Sequence, residues 1–68
     1  MPWTNVNSSM IGAYNYDQEM QVLHVRFKST GEVYSFQGVP PDKAKGLGEA
    51  PSAGKYFLAN IEGQYSAI

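Results

Sequence analysis

The chain has 68 residues, a net charge of −1, a pI near 5.6 and no cysteine. This charge argues against the broad basic surface that binds duplex DNA, and the missing cysteines exclude disulfides and thiolate metal sites. A chain of this length buries only about 60% of the surface that its unfolded form exposes. We therefore expect residues 1–68 to form one small domain.

Small domains gain stability from disulfides, metals or self-association. With His24 as the only histidine and no cysteine, the sequence predicts neither a metal centre nor a cofactor. Self-association remains, and one tryptophan, five tyrosines and three phenylalanines supply apolar surface for it. We predict a homo-oligomer.

The composition also bears on location. Hydrophobic residues make up 43% of the chain and charged residues 16%, which is typical of a globular domain. No apolar run approaches the roughly 20 residues of a membrane-spanning helix, and residues 1–5 lack the features of a signal peptide. We expect a cytoplasmic protein with no membrane contact.

The first part of the chain is predicted to form strands. Residues 10–16 and 21–28 are separated by a polar turn, and the second run alternates with period two. This alternation places Leu23, Val25 and Phe27 on one face, the expected core, and His24, Arg26 and Lys28 on the other. A turn at 29–32 then leads to a third strand over 33–37.

Two helices are predicted after the strands. The doublet Pro40-Pro41 ends the sheet, and a helix follows that should be brief, because Gly46 and Gly48 each cost about 1 kcal/mol relative to alanine. Ser52 is a suitable N-cap for a second helix that runs to about Glu62. The predicted fold is α+β, a three-stranded antiparallel β-meander followed by one short and one longer helix packed on the sheet.

The start of the second helix is the most informative segment for function. Ser52, Gly54 and Lys55 place a helix N-terminus, a flexible backbone and a cation within one turn, which favours an anion such as phosphate. The spacing is not that of a Walker loop, so nucleotide hydrolysis does not follow. A purely architectural reading stays open, in which Ser52 caps the helix and Gly54 makes room for a neighbouring strand.

Four further residues complete the candidate ligand-binding set. Arg26 is an auxiliary cation, although a charged strand face can also serve solubility alone. Tyr56 stacks on a base or packs in the core. Ser8 and Ser9 contact the ligand or satisfy the amides of their own turn.

Several motifs together resemble the KTSC domain, a small module found at the C-terminus of some lysyl-tRNA synthetases and as free-standing bacterial and phage proteins. They cover nearly the whole chain and comprise Val6-Asn7-Ser8-Ser9, Tyr16-Asp17, Leu23-His24-Val25-Arg26-Phe27, Gly31 to Phe36 with Gly38-Val39-Pro40, and Ala50 with Ser52, Gly54, Tyr56, Phe57 and Ile61. The resemblance implies a β-meander with helices and no known catalytic activity.

Two functions remain open from the sequence. Because the carboxylates are scattered over separate predicted elements, an acid–base pair is disfavoured and we expect no enzyme activity. The first hypothesis is a module that holds or sequesters a phosphate-bearing ligand, either an RNA segment or a small signalling nucleotide. The second is a protein-interaction or assembly module with no nucleotide ligand.

Overall fold

Two helices pack on one face of a four-stranded antiparallel sheet. The computed structural model describes residues 3–6 and 8–68; Met1, Pro2 and Asn7, which belong to the amino-terminal segment and to the first motif of the resemblance, lie outside the described residues. The elements in chain order are β1 (Thr4–Asn5), β2 (Ile11–Asp17), β3 (Val22–Phe27), β4 (Val33–Phe36), α1 (Pro41–Glu49) and α2 (Ala53–Asn60).

The α+β class is confirmed, but the predicted number of three strands is wrong. The sheet has the order β1-β2-β3-β4, and β1 pairs with β2 through Thr4↔Tyr14 and Asn5↔Ala13. A two-residue strand is too short to show an alternating pattern in the sequence. Residues 4–5 form a strand because their backbone pairs with the edge of β2.

The predicted faces of β3 are confirmed. Leu23 and Val25 are fully buried and Phe27 is half-buried at the rim of the core. The Phe27 ring packs edge to face against Tyr34 at 5.1 Å and against Phe57 at 5.5 Å between centroids. Of the two β4 aromatics predicted on this side, Phe36 is buried, whereas Tyr34 lies at the edge and is 45% exposed.

The predicted helix lengths are wrong. Helix α1 has nine residues and α2 has eight, and α2 ends at Asn60 rather than near Glu62. The glycines of α1 do not shorten it, because tyrosine rings occupy the space beside them. A Cβ on Gly46 would lie 2.6 Å from Cζ of Tyr56, and one on Gly48 would lie 3.1 Å from Cζ of Tyr14.

One hydrophobic cluster joins the sheet to both helices. Its buried members are Ile11, Leu23, Val25, Phe36, Val39, Ala44, Leu47, Ala53, Phe57 and Ile61. The prediction that Phe57 and Ile61 share the buried face of the second helical segment is confirmed, with Ile61 at the C-cap. Since α1 and α2 both contribute to this cluster, neither packs on the opposite face of the sheet.

The end of the chain covers part of the free edge of β4. The Gln37 amide donates to the Ser66 carbonyl at 3.1 Å, and the Ile68 amide donates to the Ser35 carbonyl at 2.8 Å. These bonds form an isolated antiparallel bridge, Phe36↔Ala67, and not a further strand. The carboxyl end of the β4 edge is thereby paired with the carboxyl-terminal segment.

Candidate functional site

A cleft of about 330 Å³ lies between the start of α2 and the loop at residues 8–10. It is lined by Ser8, Ser9, Met10, Pro51, Ser52, Gly54, Lys55 and Leu58. Five of these residues, Ser8, Ser9, Ser52, Gly54 and Lys55, belong to the set predicted from the sequence. The fold brings them together from opposite ends of the chain.

The start of α2 forms one wall of the cleft. The Ser52 side chain accepts a hydrogen bond from the Lys55 amide at 3.3 Å, so its predicted role as N-cap is confirmed. Within the described part of the chain, no group accepts a hydrogen bond from the amides of Ala53 and Gly54. Helix N-terminal amides that lack such partners carry partial positive charge.

The loop at residues 8–10 forms the opposite wall. The Ser8 hydroxyl oxygen accepts hydrogen bonds from the amides of Met10, at 3.1 Å, and Ile11, at 3.2 Å. The loop is also tied to the sheet, because the Lys28 amide donates to the Met10 carbonyl at 2.9 Å. Ser8 therefore holds the shape of the loop, while the exposed Ser9 faces solvent at the cleft.

Gly54 sets the distance between the two walls. A Cβ at this position would lie 3.3 Å from both the Met10 Cβ and the Ser8 Oγ, closer than most side chains pack. The absence of a side chain thus lets α2 begin next to the loop. This is the architectural role considered for Gly54, with the loop at 8–10 in place of a strand.

Lys28 is a cation beside the cleft that the predicted site did not include. Its Nζ donates to the Ser8 carbonyl at 3.2 Å. The sequence grouped Lys28 with His24 and Arg26 by strand alternation, and nothing local indicated that its long side chain reaches the loop. The cleft thus has Lys55 on one wall and Lys28 next to the other.

The structure does not bring Arg26 to the cleft. Its guanidinium carbon lies 4.4 Å from the centroid of the Trp3 ring. Arg26 projects from the face of β3 opposite Leu23 and Val25, and the helices pack on the Leu23 and Val25 side. The sequence pattern correctly placed Arg26 opposite the core, and the start of α2 packs on the core side of the sheet, away from Arg26.

Tyr56 lies next to the cleft and not in it. It lines a neighbouring depression of about 400 Å³ with Ala50, Pro51, Ser52 and Lys55. Its hydroxyl donates to the Lys43 carbonyl at 2.8 Å, which ties α2 to α1. Burial, followed by the nearby Asp42 carboxylate, raises the pKa of the Tyr56 hydroxyl above its ordinary value of 10.0.

The described residues contain no group of three or more histidine, cysteine or acidic side chains that could hold a metal ion. In the same part of the chain, neither helix is long and apolar enough to cross a membrane. The cleft offers hydroxyl groups, backbone amides and lysine side chains. These are groups that bind anions, and they are not a set of metal ligands.

The amino-acid sequence is similar to a known domain family and to several bacterial proteins. The model of the KTSC domain family matches residues 7–65. A lysine–tRNA ligase of Nostoc punctiforme is 36% identical over 94% of this chain, and an uncharacterized protein of Stutzerimonas stutzeri is 40% identical over 76% of it. The chain spans 11% of the length of the Nostoc ligase and 72% of the Stutzerimonas protein.

A solved structure has the same fold. The crystal structure of a KTSC domain protein from Yersinia pestis superimposes with a TM-score of 0.91 at 28% sequence identity. The match covers 98% of this chain and 93% of the Yersinia chain. The arrangement of sheet and helices is therefore shared across nearly the full length of both chains.

Proposed function

The chain belongs to the KTSC domain family, and we propose that it is a non-enzymatic module that binds a phosphate-bearing ligand in the cleft beside α2. The observation that carries this proposal is that Lys55 and the start of a helix line one cleft, with Lys28 bonded to the loop that forms its opposite wall. None of the described residues that line the cleft is acidic. The local charge is therefore positive although the chain as a whole is acidic.

The amides at the start of α2 would hold the phosphate oxygens. Gly54, which lines the cleft, supplies an N–H group at the positive end of the helix, and the exposed Lys55 adds a full charge, whereas Ala53 belongs to the buried core. Lys28 would approach from the other wall, where it now donates to the Ser8 carbonyl. Each hydrogen bond between a charged partner and phosphate contributes about 1.5–3 kcal/mol.

The cleft also has an apolar side that suits the rest of such a ligand. Met10, Pro51 and Leu58 line it, and Leu58 is 54% exposed in the free protein. A sugar or a base could cover this surface while the phosphate meets the helix. An RNA segment and a small signalling nucleotide share this chemistry, and the relatives named lysine–tRNA ligase favour the RNA.

Isothermal titration with a short RNA and, separately, with a cyclic dinucleotide tests the proposal. We expect binding that weakens about 10-fold in Lys55→Ala and in Lys28→Ala, because each removes one charged contact. Lys45→Ala is the matched control, since it removes the same charge from an exposed position of α1 outside the cleft. No heat with either ligand, or an equal loss in all three variants, would contradict the proposal.

A protein-interaction module is the second candidate, supported by exposed apolar residues near the edge of β4. Val33 is 47% exposed, Tyr34 45% and Ile68 67%. A pull-down after nuclease treatment separates the two functions. A partner retained at high salt would favour this second function, because binding driven by phosphate charge falls steeply with salt.

A further inference from the structure

Two hollows meet at Lys55. One is the cleft beside α2, of about 330 Å³, and the other is the neighbouring depression, of about 400 Å³. The two hollows share three lining residues, Pro51, Ser52 and Lys55. Beyond this common border the cleft continues to Leu58 and the depression continues to Tyr56. Lys55 therefore lies between two hollows and not at the end of one.

The common border carries a positive charge. Lys55 is exposed, and within the described residues its ammonium group has no hydrogen-bond or ion-pair partner. None of the described residues that line the two hollows is acidic. The carboxylate of Asp42, which acts on the Tyr56 hydroxyl from α1, and that of Glu49 lie outside both linings. An anionic group at the border would thus meet an unpaired cation and no lining carboxylate.

Each hollow offers an apolar surface to one side of Lys55. In the cleft this surface comes from Met10 and from Leu58, which is 54% exposed. In the depression it comes from the ring of Tyr56, which is held in place because its hydroxyl donates to the Lys43 carbonyl at 2.8 Å. A held aromatic ring loses little conformational freedom when a base stacks on it. The two surfaces therefore suit two planar groups, one on each side of the cation.

We propose that the ligand is a dinucleoside phosphodiester, whose phosphate binds Lys55 while one nucleoside lies in each hollow. This inference rests on the proposed function and adds the class of ligand to it. Each hollow alone has a volume near the lower end of the range of about 300–1,000 Å³ that is typical of small-molecule sites. A ligand that spans both hollows uses the two apolar surfaces with one charge between them. An internal step of an RNA strand and a free dinucleotide share this chemistry.

Isothermal titration of the full chain with matched phosphodiesters tests the proposal. ApA carries two adenosines on one phosphate, whereas the two adenosine monophosphate methyl esters that correspond to its halves carry one adenosine on a phosphate of the same charge. We expect ApA to bind about 10-fold more tightly than either ester, because stacking of a second base contributes to binding. Lys55→Ala should weaken ApA and both esters alike, since all three present the same charge to it.

Two readouts locate the nucleosides. Leu58→Ser removes apolar surface from the cleft and should weaken the binding of ApA about 5-fold. Met20→Ser is the matched control, because it removes another exposed apolar side chain, in the β2–β3 turn, and should leave the affinity unchanged. In nuclear Overhauser spectra of the complex, protons of one adenosine should contact the Leu58 methyl groups, and those of the other should contact the Tyr56 ring.

The outcomes separate this inference from the proposed function. If the esters bind as tightly as ApA and Lys55→Ala weakens them, the cleft still binds phosphate but the ligand with two nucleosides is wrong. If no phosphodiester binds, both proposals fail. An affinity for ApA that Leu58→Ser leaves unchanged would also overturn the inference, as would contacts of both adenosines with Leu58 alone or with Tyr56 alone.

An oligoadenylate of about eight nucleotides, a length typical of single-strand sites, identifies the source of the dinucleoside. Binding at least as tight as that of ApA indicates an RNA strand, because every internal step then fits the two hollows. Weaker binding indicates a free dinucleotide, because the continuing strand is then excluded. Either result supports the proposed class of ligand.

Discussion

The ring of Tyr56 lies over Gly46 of α1, so closely that a Cβ on Gly46 would be 2.6 Å from Cζ of the ring. The hydroxyl of the same ring donates to the Lys43 carbonyl, three residues earlier in the helix. One tyrosine of α2 therefore both packs on α1 and hydrogen-bonds to it. This contact explains why a helix that contains two glycines extends over nine residues.

We predict that Gly46→Ala lowers the free energy of unfolding. Alanine favours the helix by about 1 kcal/mol relative to glycine. Its added methyl group would overlap the Tyr56 ring, and such overpacking typically costs about 1–3 kcal/mol. Urea unfolding followed by circular dichroism measures the balance. Lys45→Ala, at an exposed position of the same helix, should change stability by less than about 0.5 kcal/mol. A more stable Gly46→Ala variant would show that the Tyr56 ring moves aside easily.

Ser52 supports stability as well as lining the cleft. Ser52→Ala removes the acceptor of the Lys55 amide and should cost about 0.5–2 kcal/mol, whereas Ser52→Asp keeps an N-cap and should restore most of the loss. Thermal unfolding of both variants tests this. Ser9→Ala is the control, because Ser9 is exposed in the same cleft and does not cap α2. Equal stability of the alanine and aspartate variants would contradict a capping role.

Alkaline pH should destabilise the fold through Tyr16 and Tyr56. Burial, followed by nearby carboxylates, raises the pKa of both hydroxyls above the ordinary 10.0. Because the folded state binds the tyrosine proton more tightly than the unfolded state, the protonated hydroxyls stabilise the fold. This contribution is complete below the unfolded-state pKa and is lost as pH rises through the folded-state pKa. The free energy of unfolding should therefore begin to fall as pH approaches the unfolded value of 10.0 and should keep falling as pH rises through the higher folded-state pKa.

The variants Tyr16→Phe and Tyr56→Phe locate the source of that fall. Each removes one hydroxyl that donates to a backbone carbonyl, of Val39 for Tyr16 and of Lys43 for Tyr56. Each variant should be less stable at neutral pH and should lose less stability on going to alkaline pH. Urea unfolding at several pH values measures both effects. If the free energy of unfolding of the double variant fell with pH as steeply as that of the unmodified protein, this assignment would be refuted.

The predicted homo-oligomer can be tested at the edge of β4. We expect self-association through Val33, Tyr34 and Ile68, because the domain is small and these apolar side chains are exposed. Val33→Lys should lower the sedimentation mass. Met20→Lys, a charge at an exposed methionine in the β2–β3 turn, should not. A mass of one chain for the unmodified protein at micromolar concentration would disprove the oligomer.

The sequence predicted those elements whose signals are local. The alternation over Val22–Phe27 predicted the core face of β3, and Ser52 predicted the start of α2. It missed β1 and misjudged the length of α1. A two-residue strand depends on its partner, and the cost of Gly46 in a helix was assessed without the Tyr56 ring that packs on it.

The residues of the candidate site also differ in whether local sequence signals could identify them. From the chain alone, Ser52, Gly54 and Lys55 were identified as one helix-start turn, because capping and helix charge act within a few residues. Only the tertiary structure decided that Ser8 and Ser9 face this turn, that Lys28 reaches the Ser8 carbonyl and that Arg26 lies against Trp3 and away from the cleft. Strand alternation identifies the core face of β3, but it does not show which loops and helix ends meet at a cleft, because those contacts join residues that are far apart in the chain.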